Sequence, residues 1–378
     1  MVQKTDGALK PMVKNIVITG GGTGGHLFPA LAIGEEINIR YPEIKIHYMG
    51  SNFGLEAKVF PVKDVWHTLL PIRGLQRDFS IKSLGRNILL PFRIIKSIMK
   101  VKAFFIEFSP EIIIGTGGYA SAIPLFMASR NKDKMKIILQ EQNSYPGLTT
   151  RWFSKNADKI YTAFKGVDKN LDSEQISLTG NPIRKNISNG DFEKGIHDFN
   201  LSKHKDIIFV FGGSQGSKYL NILVDKIIDK IERSGVQIIW QTGDNDFIKY
   251  RDKSSENIKI LPFINNMADA YAVSNLVISR SGAITIAEIT SCGIPAILIP
   301  FSSAAGDHQT KNAEALVDAG AGEILNEKTI NHNILFHSIM NLIHNKQKLK
   351  KMRLASEKIA YPKATKAIVD DIMRQAGT

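Results

Sequence analysis

The chain has 378 residues, long enough for two domains that each bury a core, and its 43% hydrophobic and 22% charged content is ordinary for a globular protein. One cysteine, Cys292, excludes an intramolecular disulfide, and no apolar run reaches the roughly 18 to 20 residues that a membrane-spanning helix needs. The net charge of +13 points to an anionic partner, such as a phosphorylated substrate, an anionic membrane or nucleic acid, or else to general solubility through scattered lysines.

Residues 1–13 are too polar for a signal peptide and read as a disordered tail. Lys14 to Thr19 reads as a buried parallel strand. It runs into Gly20-Gly21-Gly22-Thr23-Gly24-Gly25-His26, and the pattern from Pro29 predicts a helix with proline in its first turn. Glycines between a strand and a helix let the backbone approach a ligand closely, and the N–H groups of the helix start favour an anion or a polar sugar. His26 is the one residue of that turn belonging to a type that titrates near neutrality. Gly20, Gly22 and Gly25 also satisfy the dinucleotide fingerprint, which further needs an acid ending the second strand, about 20 residues on. The second strand, Ile44 to Met49, ends instead in Gly50-Ser51-Asn52, with Glu43 before it and Glu56 well beyond. A nicotinamide enzyme therefore ranks below a transferase.

Strands at 66–70, 112–114, 136–140 and 159–162 alternate with helical stretches, the order of a parallel sheet with helices on both faces. Residues 71–108 interrupt it. Bulky apolar residues interleave there with Lys82, Arg86, Arg93, Lys96, Lys100 and Lys102, and Pro91 divides the segment into two helices. Apolar bulk with a basic face is the pattern of a helix on an anionic bilayer. The other reading is a crossover helix packed on the sheet with solvated lysines, and one helix can do both. Gly115-Thr116-Gly117-Gly118-Tyr119 is a second glycine turn at a strand's carboxyl end, where ligands collect in open α/β sheets. Gln140-Glu141-Gln142-Asn143 ends another strand, and its amides either bind hydroxyls or simply make a turn.

Residues 180–205 mark a domain boundary, after which the pattern restarts with a strand at 206–211, the turn Gly212-Gly213-Ser214-Gln215-Gly216 and a helix over 217–231. Strands at 237–241, 258–261, 276–279 and 296–300 make a second sheet, and the tail from Asn331 reads as helical. Leu261-Pro262-Phe263-Ile264 leaves main-chain groups that can pair with the edge of a uracil ring. Ser281-Gly282-Ala283 opens a helix whose start, with Arg280, suits a diphosphate. Glu288, about one and a half turns in, can accept two hydrogen bonds from a ribose diol, or is an ordinary surface carboxylate. Asp307 stands where it can cap the next helix, and Gln309 where it can face a polar ligand. Asp244-Asn245-Asp246 matches a metal–diphosphate D-x-D pattern but reads as a polar turn, and no His/Cys grouping suggests a metal.

Taken together, Gly20–Ala30, Gly115–Tyr119, Glu141-Gln142-Asn143, Gly180-Asn181-Pro182-Ile183-Arg184, Gly212–Gly216, Pro262-Phe263-Ile264, Arg280–Glu288 and Asp307–Ala313 resemble the bacterial MurG family, in order over roughly residues 14 to 376. The resemblance implies an α/β protein of two Rossmann-like domains facing a cleft, the GT-B glycosyltransferase fold. Residues 14–183 would form an acceptor- and membrane-binding domain, with a C-terminal helix, 360–378, crossing back to it. Residues 184–359 would bind the UDP-sugar. The implied reaction is inverting transfer of N-acetylglucosamine from UDP-N-acetylglucosamine to undecaprenyl-linked lipid I, at the anionic cytoplasmic face of the bacterial plasma membrane. No cofactor, metal or nucleic acid is implied. Carried over by motif, Thr23, Gly24, Gly25, Asn143, Arg184, Ser214, Ile264, Ala283, Glu288 and Gln309 are donor-site residues, joined by Arg280 for its charge. Gly22, Thr116, Gly117, Gly118 and Tyr119 fall to the acceptor, and His26 is the candidate general base. The sequence departs from the family at Gln140, where histidine is common, and at Ser144-Tyr145, where a small residue is common.

Overall fold

The computed structural model describes residues 13–74, 88–213 and 215–377. It divides into two compact units, one of residues up to Gln142, Pro146–Pro182 and Lys363–Thr378, the other of Asn143–Tyr145 and Ile183–Pro362.

The first unit is built on seven parallel strands: β1 (Asn15–Thr19), β2 (Lys45–Ser51), β3 (His67–Leu70), β4 (Ile112–Gly115), β5 (Lys136–Glu141), β6 (Lys159–Thr162) and β7 (Ile176–Leu178), in the order β3-β2-β1-β4-β5-β6-β7. Runs such as Ile16-Val17-Ile18 and Ile112-Ile113-Ile114 are buried on both faces, as a sheet covered by helices requires. The strand order reverses between β1 and β4, so their carboxyl ends open a crevice. Thr19 pairs with Gly115, which sets the two following glycine turns level.

The first helix differs from expectation. It begins at Gly24, inside the glycine run, and spans Gly24–Arg40 with Pro29 within it. Pro29 lacks the N–H that would have bonded the Gly25 carbonyl, so the helix forgoes that bond of its ladder. His26 therefore sits on a helix and not in a loop. The C-terminal helix Ala364–Gln375 lies against this one. Its Ile368, Val369, Ile372 and Met373 share a core with Ile16, Ile18 and Leu27. The Tyr161 hydroxyl donates to Asp371 at 2.8 Å, and Arg40 pairs with Asp370.

Pro91 does not divide two described helices: it stands in the first turn of Leu90–Phe108. The helix expected before it, with Lys82 and Arg86, lies outside the described residues. Leu90–Phe108 has two faces. Val101, Phe108, Ile94, Ile98 and Phe104 pack on the sheet, while Phe92, Ile95, Met99 and Ile106 are exposed beside Lys96 and Lys102. Lys100 is not simply solvated, since its ammonium donates to the Leu69 carbonyl at 2.9 Å. No helix among the described residues is long and apolar enough to cross a membrane.

The second unit carries six parallel strands, β8 (Ile207–Phe211), β9 (Gln237–Gln241), β10 (Ile258–Leu261), β11 (Leu276–Ser279), β12 (Ala296–Leu298) and β13 (Gly322–Ile324), ordered β10-β9-β8-β11-β12-β13. The reversal falls between β8 and β11. The edge strands β7 and β13 are absent from the sequence reading, because three residues are too few for a periodicity. The helix expected over 217–231 is two, Lys218–Asp225 and Ile228–Arg233, separated where Ile227 bonds Val224 three residues back. The boundary stretch 180–205 contains the helix Phe192–Asp198, capped by Asp191.

Leu90–Phe108 is held to β2 partly by an aromatic cluster. The His47 ring lies 4.1 Å from Phe104 and 4.7 Å from Trp66, centroid to centroid. Burial, aided by nearby His67, pushes the His47 pKa down to about 4 from an ordinary 6.5. The folded state thus resists a proton that the unfolded chain accepts. His47 should cost stability progressively as pH falls from about 6.5 to about 4 and no further below that. Denaturant unfolding across this range should show a shallower acid loss in His47→Phe than in wild type, and equal slopes would refute the assignment.

Candidate functional site

In the first unit, two glycine turns and one histidine make a single tightly built group. A Cβ on Gly118, which has φ +79°, would lie 2.2 Å from the Gly21 carbonyl oxygen, and one on Gly117 would lie 3.0 Å from His26 Nδ1. A Cβ on Gly20 would meet the Thr116 hydroxyl at 1.8 Å, and one on Gly22 the Tyr119 ring at 2.7 Å. Glycine is needed here because the turns are in contact with each other. Gly22, Thr116, Gly117, Gly118, Tyr119 and His26 are thus gathered in one place, with Thr23, Gly24 and Gly25 opening the helix beside them.

His26 has a defined orientation. Its Nδ1 lies 2.8 Å from Gln142 Oε1 and 3.0 Å from the Thr116 carbonyl oxygen. The other end of the Gln142 amide faces the carbonyl oxygens of Thr116 at 2.8 Å and Gln140 at 2.9 Å, so that end is the donating nitrogen. Nδ1 therefore meets only acceptors and must carry the proton, which leaves the lone pair of the neutral ring on Nε2. The Thr116 hydroxyl donates to the His26 carbonyl at 2.8 Å and locks the backbone as well. Gln140, where the resemblance implies that histidine is common, also donates to Asn181 at 3.1 Å.

Glu56 is a site residue that the sequence reading passed over. Its carboxylate is fully buried and accepts from the N–H groups of Gly22 and Ser51, each at 2.8 Å. It fills the space behind Gly21 and Gly54, where a Cβ would come within 2.4 Å or less of its oxygens. The strand-end acid of the dinucleotide fingerprint is absent, and Glu56, beyond β2, is turned inward to hold the glycine turn itself. An acid in a helix's first turn is common, so the sequence offered no distinguishing signal.

The remaining residues belong to the second unit. Ser214 lies outside the described residues. Ala283 is the first residue of the helix Ala283–Ser291, after Gly282. Glu288 is buried and not an ordinary surface carboxylate: Arg184 Nε lies 3.2 Å from its Oε1 and the Tyr271 hydroxyl 3.1 Å from its Oε2. Burial raises its pKa, and the Arg184 charge and Tyr271 hydroxyl work against the rise. Burial likewise pushes the neighbouring Cys292 thiol up to about 12. Asn143 stands with this unit, where Asn312 Nδ2 donates to its Oδ1 at 3.3 Å, and Asn312 Oδ1 accepts from the Ser144 N–H at 2.9 Å.

Five features of this unit have partners or a local structure that the sequence does not show. Arg280 does not present a free charge to a diphosphate. Its guanidinium donates to Ser217 Oγ at 3.1 Å and to the Ile299 and Pro300 carbonyls at 3.1 and 3.2 Å, and it pairs with Glu327. Burial opposes the charge on Glu327, but hydrogen bonds from Ser302 and Arg280 outweigh it and hold that carboxyl below its ordinary range. The Ile264 N–H is not left free, because it donates to Gln241 Oε1 at 2.9 Å. Gln309 Oε1 accepts from the Phe301 N–H at 2.9 Å and so closes the 301–306 loop. Asp307 occupies the cap position with φ +53° but accepts from the Thr310 hydroxyl at 2.7 Å and makes no backbone cap. Asp244-Asn245-Asp246 begins the helix Asp244–Tyr250, and Asp246 accepts from Asn221 at 2.8 Å. Among the described residues no three His, Cys, Asp or Glu side chains come together as metal ligands.

Sequence comparison places this geometry among known proteins. The glycosyltransferase family 28 N-terminal domain matches residues 16–162 and the family 28 C-terminal domain residues 207–368. The chain is 37% identical over 361 residues to a Flavobacterium psychrophilum protein named UDP-N-acetylglucosamine--N-acetylmuramyl-(pentapeptide) pyrophosphoryl-undecaprenol N-acetylglucosamine transferase, covering 95% of this chain and 96% of that one. It is 37% identical over 365 residues to a Chlorobium phaeobacteroides protein of the same name, covering 96% and 99%. The crystal structure of Acinetobacter baumannii MurG matches with a TM-score of 0.73 at 26% identity, over 96% of this chain and 99% of that one.

The His26 tautomer is directly measurable. In ¹⁵N NMR of the neutral ring, Nδ1 should carry the proton and Nε2 should appear as the pyridine-type nitrogen. Gln142→Leu should weaken that preference, and a wild-type ring protonated on Nε2 would overturn it.

Proposed function

The chain belongs to glycosyltransferase family 28 and within it to the MurG family, and on that premise we propose how its residues transfer N-acetylglucosamine from UDP-N-acetylglucosamine to lipid I, giving lipid II for peptidoglycan. The acceptor is the 4-hydroxyl of undecaprenyl-pyrophosphoryl N-acetylmuramoyl-pentapeptide. The observation that carries the mechanism is the clamp on His26 Nδ1 by Gln142 and Thr116. With the proton held on Nδ1, the lone pair of the neutral ring is on Nε2. Nε2 takes the proton of the 4-hydroxyl, whose oxygen attacks the anomeric carbon. The bond from that carbon to the phosphate oxygen breaks, its electron pair leaves with UDP, and the configuration inverts. A positioned base of this kind is worth roughly 100- to 10,000-fold.

Thr23, Gly24 and Gly25 supply helix-start N–H groups that have no intrahelical partner. Gly22 and the Thr116–Tyr119 turn receive the acceptor beside His26. In the second unit the helix start at Gly282–Ala283 stabilises the charge that develops on the diphosphate. Arg280 acts indirectly, by tying the end of β12 to Ser217. Glu288, with Arg184 already beside it, accepts from the ribose hydroxyls, and Ile264 offers its backbone to uracil by exchanging the Gln241 contact. Ser214, Asn143 and Gln309 complete the donor set. The enzyme works at the cytoplasmic face of the plasma membrane as a peripheral protein, and the exposed apolar stripe of Leu90–Phe108 with Lys96 and Lys102 supports that reading.

UDP release from UDP-N-acetylglucosamine with a short-chain lipid I analogue should depend on the acceptor and survive EDTA. His26→Ala should lower kcat about 100- to 10,000-fold with donor binding retained. Acceptor-independent release, or full activity in a folded His26→Ala, would refute the mechanism. Glu288→Gln should raise the donor KM about 10-fold and leave the acceptor KM unchanged, in line with loss of charge-assisted hydrogen bonds.

A further inference from the structure

Two arginines of the first unit share one aromatic ring and have no counter-ion among the described residues. The Arg73 guanidinium carbon lies 3.9 Å from the centre of the Phe53 ring, and that of Arg93 lies 5.1 Å from it. Arg73 Nε and Arg93 Nη1 are both buried, and neither has a hydrogen-bond partner. Neither side chain forms an ion pair among the described residues. The nearby acid is committed elsewhere: both oxygens of Glu56 accept backbone N–H groups. A phenyl face contributes only part of what a carboxylate or phosphate would, and a buried charged donor left without an acceptor is strongly disfavoured. Two planar guanidiniums, each able to bind two oxygens, are the arrangement that a diphosphate satisfies.

The surroundings say which diphosphate. Gly74, next to Arg73, packs on Tyr119, since a Cβ there would lie 3.1 Å from the ring. The same ring closes over Gly22, in the glycine turn that carries His26 into its helix. Ser51 straps the assembly together, accepting from the Phe53 N–H at 3.0 Å and donating to the Ile72 carbonyl at 2.6 Å. Arg93 lies in the opening turns of Leu90–Phe108, one residue from exposed Phe92 and on the helix that also exposes Ile95 and Met99. One arginine therefore neighbours the base and the other neighbours an outward apolar stripe. We propose that Arg73 and Arg93, on either contact of Phe53, form the binding site for the diphosphate that joins the acceptor's sugar to its polyprenyl chain.

This rests on the transferase reading, and the experiment separates the two. Kinetics with a short-chain lipid I analogue are measured for wild type and for Arg73→Gln, Arg93→Gln and the double variant. The double variant should raise the acceptor KM about 10- to 100-fold, leave the donor KM unchanged, and not lower the thermal midpoint. Farnesyl diphosphate should compete with the acceptor in wild type and lose that effect in the double variant, whereas farnesol should not distinguish them. Arg73→Lys with Arg93→Lys should recover part of the loss, since charge returns without the planar fork. An unchanged acceptor KM in a folded double variant overturns the proposal. So does a double variant that loses only its binding to phosphatidylglycerol vesicles, which would assign the pair to bulk lipid. If wild type shows no acceptor-dependent transfer, the functional reading fails, and titration of both proteins with farnesyl diphosphate still decides whether the arginines bind a prenyl diphosphate.

Discussion

The first unit depends on how closely two pieces of backbone approach. A methyl group on Gly118 would stand 2.2 Å from the Gly21 carbonyl oxygen, so the turns after β1 and β4 must both be free of side chains. The parallel register that pairs Thr19 with Gly115 brings the turns to the same level. Contact between them then brings the Thr116 carbonyl to His26 Nδ1. Glu56 holds the turn from behind through the Gly22 N–H, and Gln142 closes the arrangement from β5. The basic lone pair on His26 is thus a consequence of sheet register and steric necessity.

The two units handle positive charge differently. In the second, Arg280 is saturated: its partners come from Ser217, the end of β12 and Glu327. A buried pair of this kind contributes little net stability, but removing one partner would strand the other. It ties together segments distant in sequence and leaves the helix start at Ala283 as the local source of positive potential. In the first unit Arg73 and Arg93 have an aromatic ring and, among the described residues, no acid paired with them. On the proposal above, the Arg73–Arg93 pair takes an anion, whereas the saturated Arg280 is structural. Charge alone, as counted along the chain, cannot make that distinction.

The Leu90–Phe108 helix shows how one segment serves two solvents. Val101, Phe104 and Phe108 pack toward the sheet, and Phe92, Ile95 and Met99 face out. A helix of 19 residues has room for both an inner and an outer apolar stripe, with lysines between them. The aromatic contacts of His47, Trp66 and Phe104 fasten the inner one.

The sequence by itself determined the architecture: two parallel sheets, each with glycine turns at strand ends, and the motif order that marks the family. Those features are local, since a strand, a turn and a helix start are each written within about a dozen residues. It also singled out His26, Glu288 and the Thr116–Tyr119 turn. What it left undecided was each side chain's partner. Arg280 looked available until Glu327, 47 residues on, was beside it. Ile264 looked unpaired until Gln241 reached its N–H, and Glu56 looked irrelevant until the fold turned it under Gly22. The tautomer of His26 was decided by Gln142, 116 residues away. Secondary structure follows from neighbours along the chain, whereas hydrogen-bond saturation is settled between segments that only the tertiary fold brings within 3 Å.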